Sequence, residues 1–380
     1  VCNNISVQNT NKPKIAIIHD QLTQYGGAEK TLEALLDIFP DAEIITGYSD
    51  PVNISQKILA AKIIPGISAT NSWVKKMCRQ LVFLMPIVFE SFDLRKYDVL
   101  ISEGTAWPKG VITSPNQLHI TYVYTPPRFL YGYATEGQKR DKWYLKPFLR
   151  VIDHFLRIWD YTAAHRPDFV LVISEEIKKR VKKFYGREST IIYPPVELVT
   201  NYSDAKSEDF FLCISRLAAY KNIDVLISAF NLINLKLKVV GTGKEMEKLK
   251  RLAKENVELL GFVSEETKNS LLTECKGFIF PTDYEDFGIV VVEALAHGKP
   301  VLCHRSGGPL EIVQAGKTGM FFDTVNPESL ANSIMSFDTE INAGKFDPQR
   351  CILSANRFSA ERFKAEFYNF VMDKWEAKRA

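Results

Sequence analysis

Short apolar strands alternate with helical patterns along nearly the whole chain, and that alternation leaves few folds open. Lys14-Ile-Ala-Ile-Ile-His19 reads as a buried strand by its length and β-branched content. Gly26-Gly27-Ala28-Glu29 follows, then Leu32, Leu35, Leu36 and Phe39 at helical spacing. Glu43–Thr46, Tyr97–Ser102, His119–Tyr124 and Phe169–Ser174 are further short apolar strands. A break comes at Tyr193-Pro-Pro-Val196 and the polar stretch Asn201 to Asp209, after which a second series starts at Phe210–Ser215. Strands at 236–240, 257–260, 277–280 and 300–303 then alternate with helices at 222–233, 244–254, 266–274, 288–297 and near 309–315. Alternation of this kind predicts parallel sheets covered by helices, here two of similar size. From Ala360 to Lys378, Phe363, Phe367, Phe370, Val371 and Trp375 form the apolar stripe of an amphipathic helix that either half could receive.

Length and charge exclude several classes. A chain of 380 residues with 46% hydrophobic and 24% charged residues is neither disordered nor a small disulfide scaffold. Lys+Arg 48 against Asp+Glu 45 is too balanced for a dedicated nucleic-acid binder, so no nucleic-acid partner is expected. The surplus is local: from Arg128 to Arg187 there are 14 Lys/Arg against 7 Asp/Glu. Six scattered cysteines without a Cys-x-x-Cys pair fit a reducing, cytoplasmic setting. No apolar run approaches the roughly 18–20 residues of a membrane span, and the polar stretch to Lys12 lacks the apolar core of a signal peptide.

Three segments carry chemistry. Pro281-Thr-Asp-Tyr-Glu285-Asp-Phe-Gly288 follows a strand, and Gly288 stands where the next helix starts, with Glu293 inside it. Free N–H groups at that start suit a hydroxyl or phosphate oxygen, and two carboxylates suit sugar hydroxyls. One carboxylate alone is more often a solvated charge. Ser215-Arg216-Leu-Ala-Ala-Tyr-Lys221 lies beyond a strand end, where open α/β sheets bind ligands; two cations there would hold a diphosphate. Bare surface cations are an equal account. Gly26-Gly27 precedes a helix and lets a ligand approach the backbone, although a simple tight turn explains it as well.

Together these segments resemble the retaining glycosyltransferases of family 4, which have the GT-B fold of two Rossmann-like α/β/α domains facing a central cleft. The likeness rests on the E-x7-E spacing of Glu285 and Glu293, on Arg216 and Lys221, on the Gly26-Gly27 loop, and on Gly241-Thr-Gly243, Leu260-Gly-Phe262 and Ser306-Gly-Gly308. It implies an N-terminal acceptor-binding domain over 13–199, a nucleotide-sugar-binding domain over 200–357, and a helix over 358–380 crossing back to the N-terminal domain. It further implies Glu293 on the ribose, Phe262 and Val263 by the base, and Glu285 with the backbone of Phe287, Gly288 and Ile289 on the sugar. Arg216 and Lys221 would stabilise the leaving diphosphate. Glu285 is expected as a sugar-positioning group rather than a nucleophile. No cofactor and no obligatory metal are expected, and no Asp-x-Asp occurs.

One position departs from the family pattern. The family segment has His immediately before Thr-Pro, where this chain has Tyr124, which can hydrogen-bond but not act as a base near neutral pH. His119 falls on the opposite face of the same strand; a buried, satisfied histidine is its simpler reading. Trp73-Val-Lys75-Lys76 and the apolar run to Phe89 combine with Arg128–Arg187 to suggest peripheral contact with an anionic membrane at its cytoplasmic face, packing in the N-terminal core being the simpler account of the run. The expected function is transfer of a hexose, first mannose from GDP-mannose, with UDP-sugars the other donor type, to a glycan or lipid-linked glycan hydroxyl. A nucleotide-sugar epimerase of this architecture and a non-catalytic sugar-nucleotide binder stay open. A Rossmann dehydrogenase is disfavoured, because Gly241-Thr-Gly243-Lys-Glu-Met246 lacks the third fingerprint glycine.

Overall fold

A computed structural model of the chain describes residues 12–50, 54–68, 82–135, 146–198 and 207–380. The strands are β1 (Ile15–His19), β2 (Glu43–Ser49), β3 (Ile63–Ser68), β4 (Val99–Gly104), β5 (Leu118–Val123), β6 (Phe169–Val172) and β7 (Thr190–Ile191), then β8 (Phe211–Ile214), β9 (Leu237–Val240), β10 (Val257–Gly261), β11 (Gly277–Phe280), β12 (Val301–His304) and β13 (Gly319–Phe322). They form two all-parallel sheets, ordered β3-β2-β1-β4-β5-β6-β7 and β10-β9-β8-β11-β12-β13. The central strands are buried from end to end and mostly apolar because helices cover both faces. Three strands escape the sequence pattern: β3, β7 and the four-residue edge strand β13. β3 contains Pro65-Gly66 and is tolerated only because it lies at an edge; β7 is two residues long.

Strand order reverses between β1 and β4 in the first sheet and between β8 and β11 in the second. At such a switch point neighbouring connections run to opposite faces and leave a crevice beyond the carboxyl ends. The carboxyl ends in question lead to Gly26-Gly27 and Gly104 in one domain and to Arg216 and Glu285 in the other. Both switch points open on one interdomain cleft, lined from either side.

The chain crosses between the sheets at Tyr193–Val196 and again at Phe358–Ala360, and the two crossings bond to each other. Val196 N donates to Phe358 O at 3.0 Å and Ala360 N to Val196 O at 3.1 Å. Tyr193, Phe287 and Phe358 pack ring to ring at this junction, with centroids 5.0–5.9 Å apart. The C-terminal helix Ala360–Arg379 then lies against the first sheet, where Phe363 and Phe367 pack on Tyr122 and Lys378 Nζ donates to Gln117 O at 2.6 Å. Its buried Phe363, Phe367, Val371 and Trp375 each contribute roughly 1.5–3 kcal/mol of apolar burial; Phe370 is only partly buried and packs edge-on to Phe169.

Candidate functional site: an interdomain cleft

The cleft has a volume of about 380 Å³ and takes residues from both domains, among them Gly27, Tyr124, Arg216, Lys221, Glu285 and Gly288. Lys221 and Glu285 meet there: the ammonium lies on Glu285 Oε2, with both side chains largely buried. Arg216 lines the same cleft, with its guanidinium 3.4 Å from the Tyr220 hydroxyl. Gly288 caps the helix Ile289–Ala296 at φ +102°, a backbone state that favours glycine, and with Ile289 and Val290 it faces the cleft. Val291 N already donates to Gly288 O at 2.9 Å, which leaves the N–H groups ahead of it in that turn available to an anion or hydroxyl. Gly27 faces this turn from the other domain. A β-carbon on it would come within 2.9 Å of the Ile289 side chain, so glycine permits the close approach.

The loop bearing Glu285 is fixed by backbone contact. β-Carbons on Gly307 and Gly308 would fall 2.3 Å from Glu285 O and 2.4 Å from Phe287 Cα, while Gly308 N donates to Glu285 O at 2.8 Å. Ser306 Oγ accepts from Tyr284 N at 2.9 Å. The Ser306-Gly-Gly308 run is therefore a cradle for the 284–287 loop. Gly241 and Gly243 do the same for the Arg216 segment, since β-carbons there would overlap Ser215 O and Leu217 O.

Other expected residues lie apart. Glu293 lines a second cavity of about 340 Å³, where its Oε1 accepts from Lys268 Nζ at 3.0 Å; Ile289 is shared by the two cavities. Phe262 is 85% exposed, and neither Phe262 nor Val263 lines either cavity. Gly26 caps the helix Gly27–Ile38 in extended conformation and does not line the cleft itself. His119 is fully buried, its Nε2 2.8 Å from Ser102 Oγ, and burial lowers its pKa to about 3; it is a neutral core residue. Of the apolar run ending at Phe89, Met85 and Phe89 are buried in the N-terminal core while Ile87 is exposed; Trp73, Lys75 and Lys76 lie outside the described residues.

A buried acid-base chain behind Tyr124 escaped the sequence reading. Tyr124 reaches the cleft and its hydroxyl bonds to Glu103 Oε2. Glu103 Oε1 lies 2.6 Å from His19 Nδ1, and His19 Nε2 lies 3.9 Å from Glu29. His19 and Glu103 are register partners at the carboxyl ends of β1 and β4, so the first switch point brings them together. Burial opposes a charge on His19, yet the adjacent Glu103 carboxylate outweighs it and pushes the pKa up to about 10. Burial also raises Glu103, so the pair holds one proton between them over a wide pH range. The available signal was a polar residue at each of two adjacent strand ends; a strand taken to end at Ser102 stopped one residue short.

Among the described residues no group of three or more His, Cys, Asp or Glu is arranged to hold a metal ion, and no helix is long and apolar enough to cross a membrane.

Comparison with known proteins agrees with the two-domain fold. Residues 200–340 match the family model described as Glycosyl transferases group 1. An uncharacterized glycosyltransferase of Methanocaldococcus jannaschii is 30% identical over 177 residues, covering 46% of this chain and 50% of the relative. The O-antigen chain mannosyltransferase C of Escherichia coli is 24% identical over 188 residues, covering 47% and 50%. The chain thus spans about half the length of the curated relatives it matches. Among solved structures, sucrose-phosphate synthase of Thermosynechococcus elongatus superposes with a TM-score of 0.72 at 15% identity, covering 96% of this chain and 100% of that one. Anabaena HepE in complex with UDP and glucose gives 0.68 at 17% identity, covering 95% and 100%. The chain has the two-domain GT-B fold, and within it residues 200–340 are similar to glycosyl transferases group 1.

Proposed function

We propose that the chain is a retaining glycosyltransferase moving a hexose from a nucleoside-diphosphate sugar to a hydroxyl of a glycan or lipid-linked glycan. The observation that carries this reading is the convergence of Lys221, Arg216, Glu285 and the helix start at Gly288 in one cleft at the two switch points. When the anomeric C–O bond breaks, its electron pair stays on the diphosphate, which gains negative charge. Two fixed cations and a helix N-terminus stabilise that gain without reorganising. Lys221 already has its head in the cleft on Glu285, so an incoming diphosphate would take over the ammonium and leave Glu285 to accept hydrogen bonds from the sugar.

In this reading no protein carboxylate attacks the sugar, and the chemistry needs neither metal nor cofactor. The acceptor oxygen attacks from the face the diphosphate leaves, beside Tyr124, and its proton passes to the departing phosphate oxygen. GDP-mannose is the first donor to test, supported by the mannosyltransferase among the relatives; UDP-sugars come second, supported by the HepE complex. The acceptor is expected on the N-terminal side, in a cytoplasmic protein working at or near an anionic membrane surface.

A thermal-shift screen of GDP, UDP and ADP with their sugar conjugates, in chelator and then in magnesium, tests the donor side. A ligand at about 100 times its Kd stabilises by about 2.7 kcal/mol, a readable shift. Anomeric analysis of the product of the winning donor then separates transfer with retention from epimerisation. Binding without turnover on any acceptor would support a non-catalytic binder instead.

A further inference from the structure

The helix Lys146–Ala163 has two apolar faces, and the fold uses only one. Its inner face anchors the helix: Asp160 accepts from the Tyr131 and Tyr185 hydroxyls, each at 2.8 Å, and lies 2.6 Å from Lys109 Nζ. Leu156 and Ala163 are buried beside it. The outer face carries Phe148, Val151, Phe155 and Ile158 at i, i+3, i+7 and i+10, each between 53% and 66% exposed, with Tyr161 continuing the line. A soluble surface scatters single exposed apolar residues; four large ones in line over about 15 Å of helix form a docking face.

The charges around the stripe identify its occupant. Lys146 and Arg150 are exposed on the same helix, one at its start and one beside Val151. The neighbouring helix Glu175–Tyr185, joined to it by the Tyr185–Asp160 bond, exposes Lys179, Lys182 and Lys183. From Lys146 to Arg187 ten Lys/Arg stand against five Asp/Glu; Arg180 and Asp160 are buried, which leaves nine against four. On the other side Trp159 Nε1 donates to Glu90 Oε1 at 2.8 Å, which ties in the short helix Met85–Glu90 with its exposed Ile87. An apolar stripe with phenylalanines, set in a cationic surround, matches the interface of an anionic bilayer, where acyl chains take the stripe and headgroups the cations.

We propose that the outer face of helix Lys146–Ala163 is a membrane-docking element that seats the N-terminal domain on anionic lipid. The helix is coupled to the cleft, because the Tyr131 held by its Asp160 belongs to the segment that runs on from Tyr124 to Arg128.

The full chain is sedimented with phosphatidylcholine vesicles and with vesicles carrying about 30% phosphatidylglycerol. No donor or acceptor is present, so the result is independent of the activity. Strong partition to the anionic vesicles, weakened when salt is raised to about 0.5 M, is expected. Phe148→Ser with Phe155→Ser should lower that partition by about tenfold at an unchanged melting temperature. Val151→Asp, on the same stripe, gives a second variant should the first not fold. Failure of the folded chain to bind either vesicle, or equal binding by the variants, overturns the proposal. So does a wild-type dimer in light scattering that turns monomeric in the variants while neither binds lipid, since the stripe would then be covered by a second copy.

Discussion

Arg180, on a helix of the N-terminal domain, holds Asp286 of the C-terminal domain at 2.5 Å, one residue from Glu285. The same guanidinium donates to Tyr284 O at 3.2 Å, and Arg128 donates to that carbonyl at 2.9 Å. Ser174 Oγ adds a bond to Asp286 O at 2.6 Å. The loop carrying the sugar-facing carboxylate is thus gripped by the opposite domain as well as by its own glycine cradle. The contacts that close the two domains on each other are also contacts that fix the loop bearing Glu285.

Arg180→Ala should loosen that closure. It removes the nearest cation from Asp286, whose carboxyl burial already pushes upward while Arg128 and Arg180 pull it down. Losing one partner of a largely buried pair costs about 3–5 kcal/mol. Small-angle scattering should show a larger radius, and transfer should fall more than nucleotide binding. Arg180→Lys should recover part of the compactness; equal radii for all three proteins would mean that the pair does not hold the domains together.

Glu285→Ala should abolish transfer while nucleoside-diphosphate affinity stays within a few-fold. Without Glu285 the Lys221 ammonium, 8% exposed, loses its carboxylate partner, a cost of about 1–3 kcal/mol in the free protein. A bound diphosphate supplies that partner, so the melting-temperature deficit should shrink on adding nucleotide. A collapse of nucleotide binding, measured by calorimetry, would contradict a role confined to the sugar.

Arg216→Ala should weaken nucleoside-diphosphate binding by about 1.5–3 kcal/mol, the range of a charge-assisted hydrogen bond. Arg216 is exposed at the cleft mouth, so thermal stability of the free protein should hardly change. Unchanged diphosphate affinity in a titration would remove Arg216 from the donor site.

Fold class and the cleft segments were legible because they rest on local signals: apolar runs of strand length, glycines at forced backbone approaches, and cations after a strand end. β8 to β12 fall within a residue or so of their expected bounds, since each is flanked by a polar or glycine stop. What remained hidden depends on register and on sequence-distant partners. His19 and Glu103 are 84 residues apart and meet only because β1 and β4 are neighbours. Arg180 looked like one more cation in a basic helix, yet it is buried by a loop more than a hundred residues away. The outer stripe of Lys146–Ala163 was hidden because periodicity cannot tell a covered apolar face from an exposed one.

The His19–Glu103 pair should leave a signature in the pH dependence of stability. An unfolded histidine titrates near 6.5, while in the folded chain His19 is pushed up to about 10. A raised folded pKa stabilises fully below the unfolded value and is lost as pH rises through the folded one. Between about pH 6.5 and 10 the folded state therefore holds up to one more proton than the unfolded chain. Its stability should fall with a slope approaching about 1.4 kcal/mol per pH unit from this source. Glu103→Gln removes the larger of the two charges that keep the proton on His19, Glu29 being the other, so urea unfolding across this range should lose most of that slope. Parallel profiles for the two proteins would mean that the pair carries no shared proton, and Tyr124 would then face the cleft from a neutral hydrogen-bond chain.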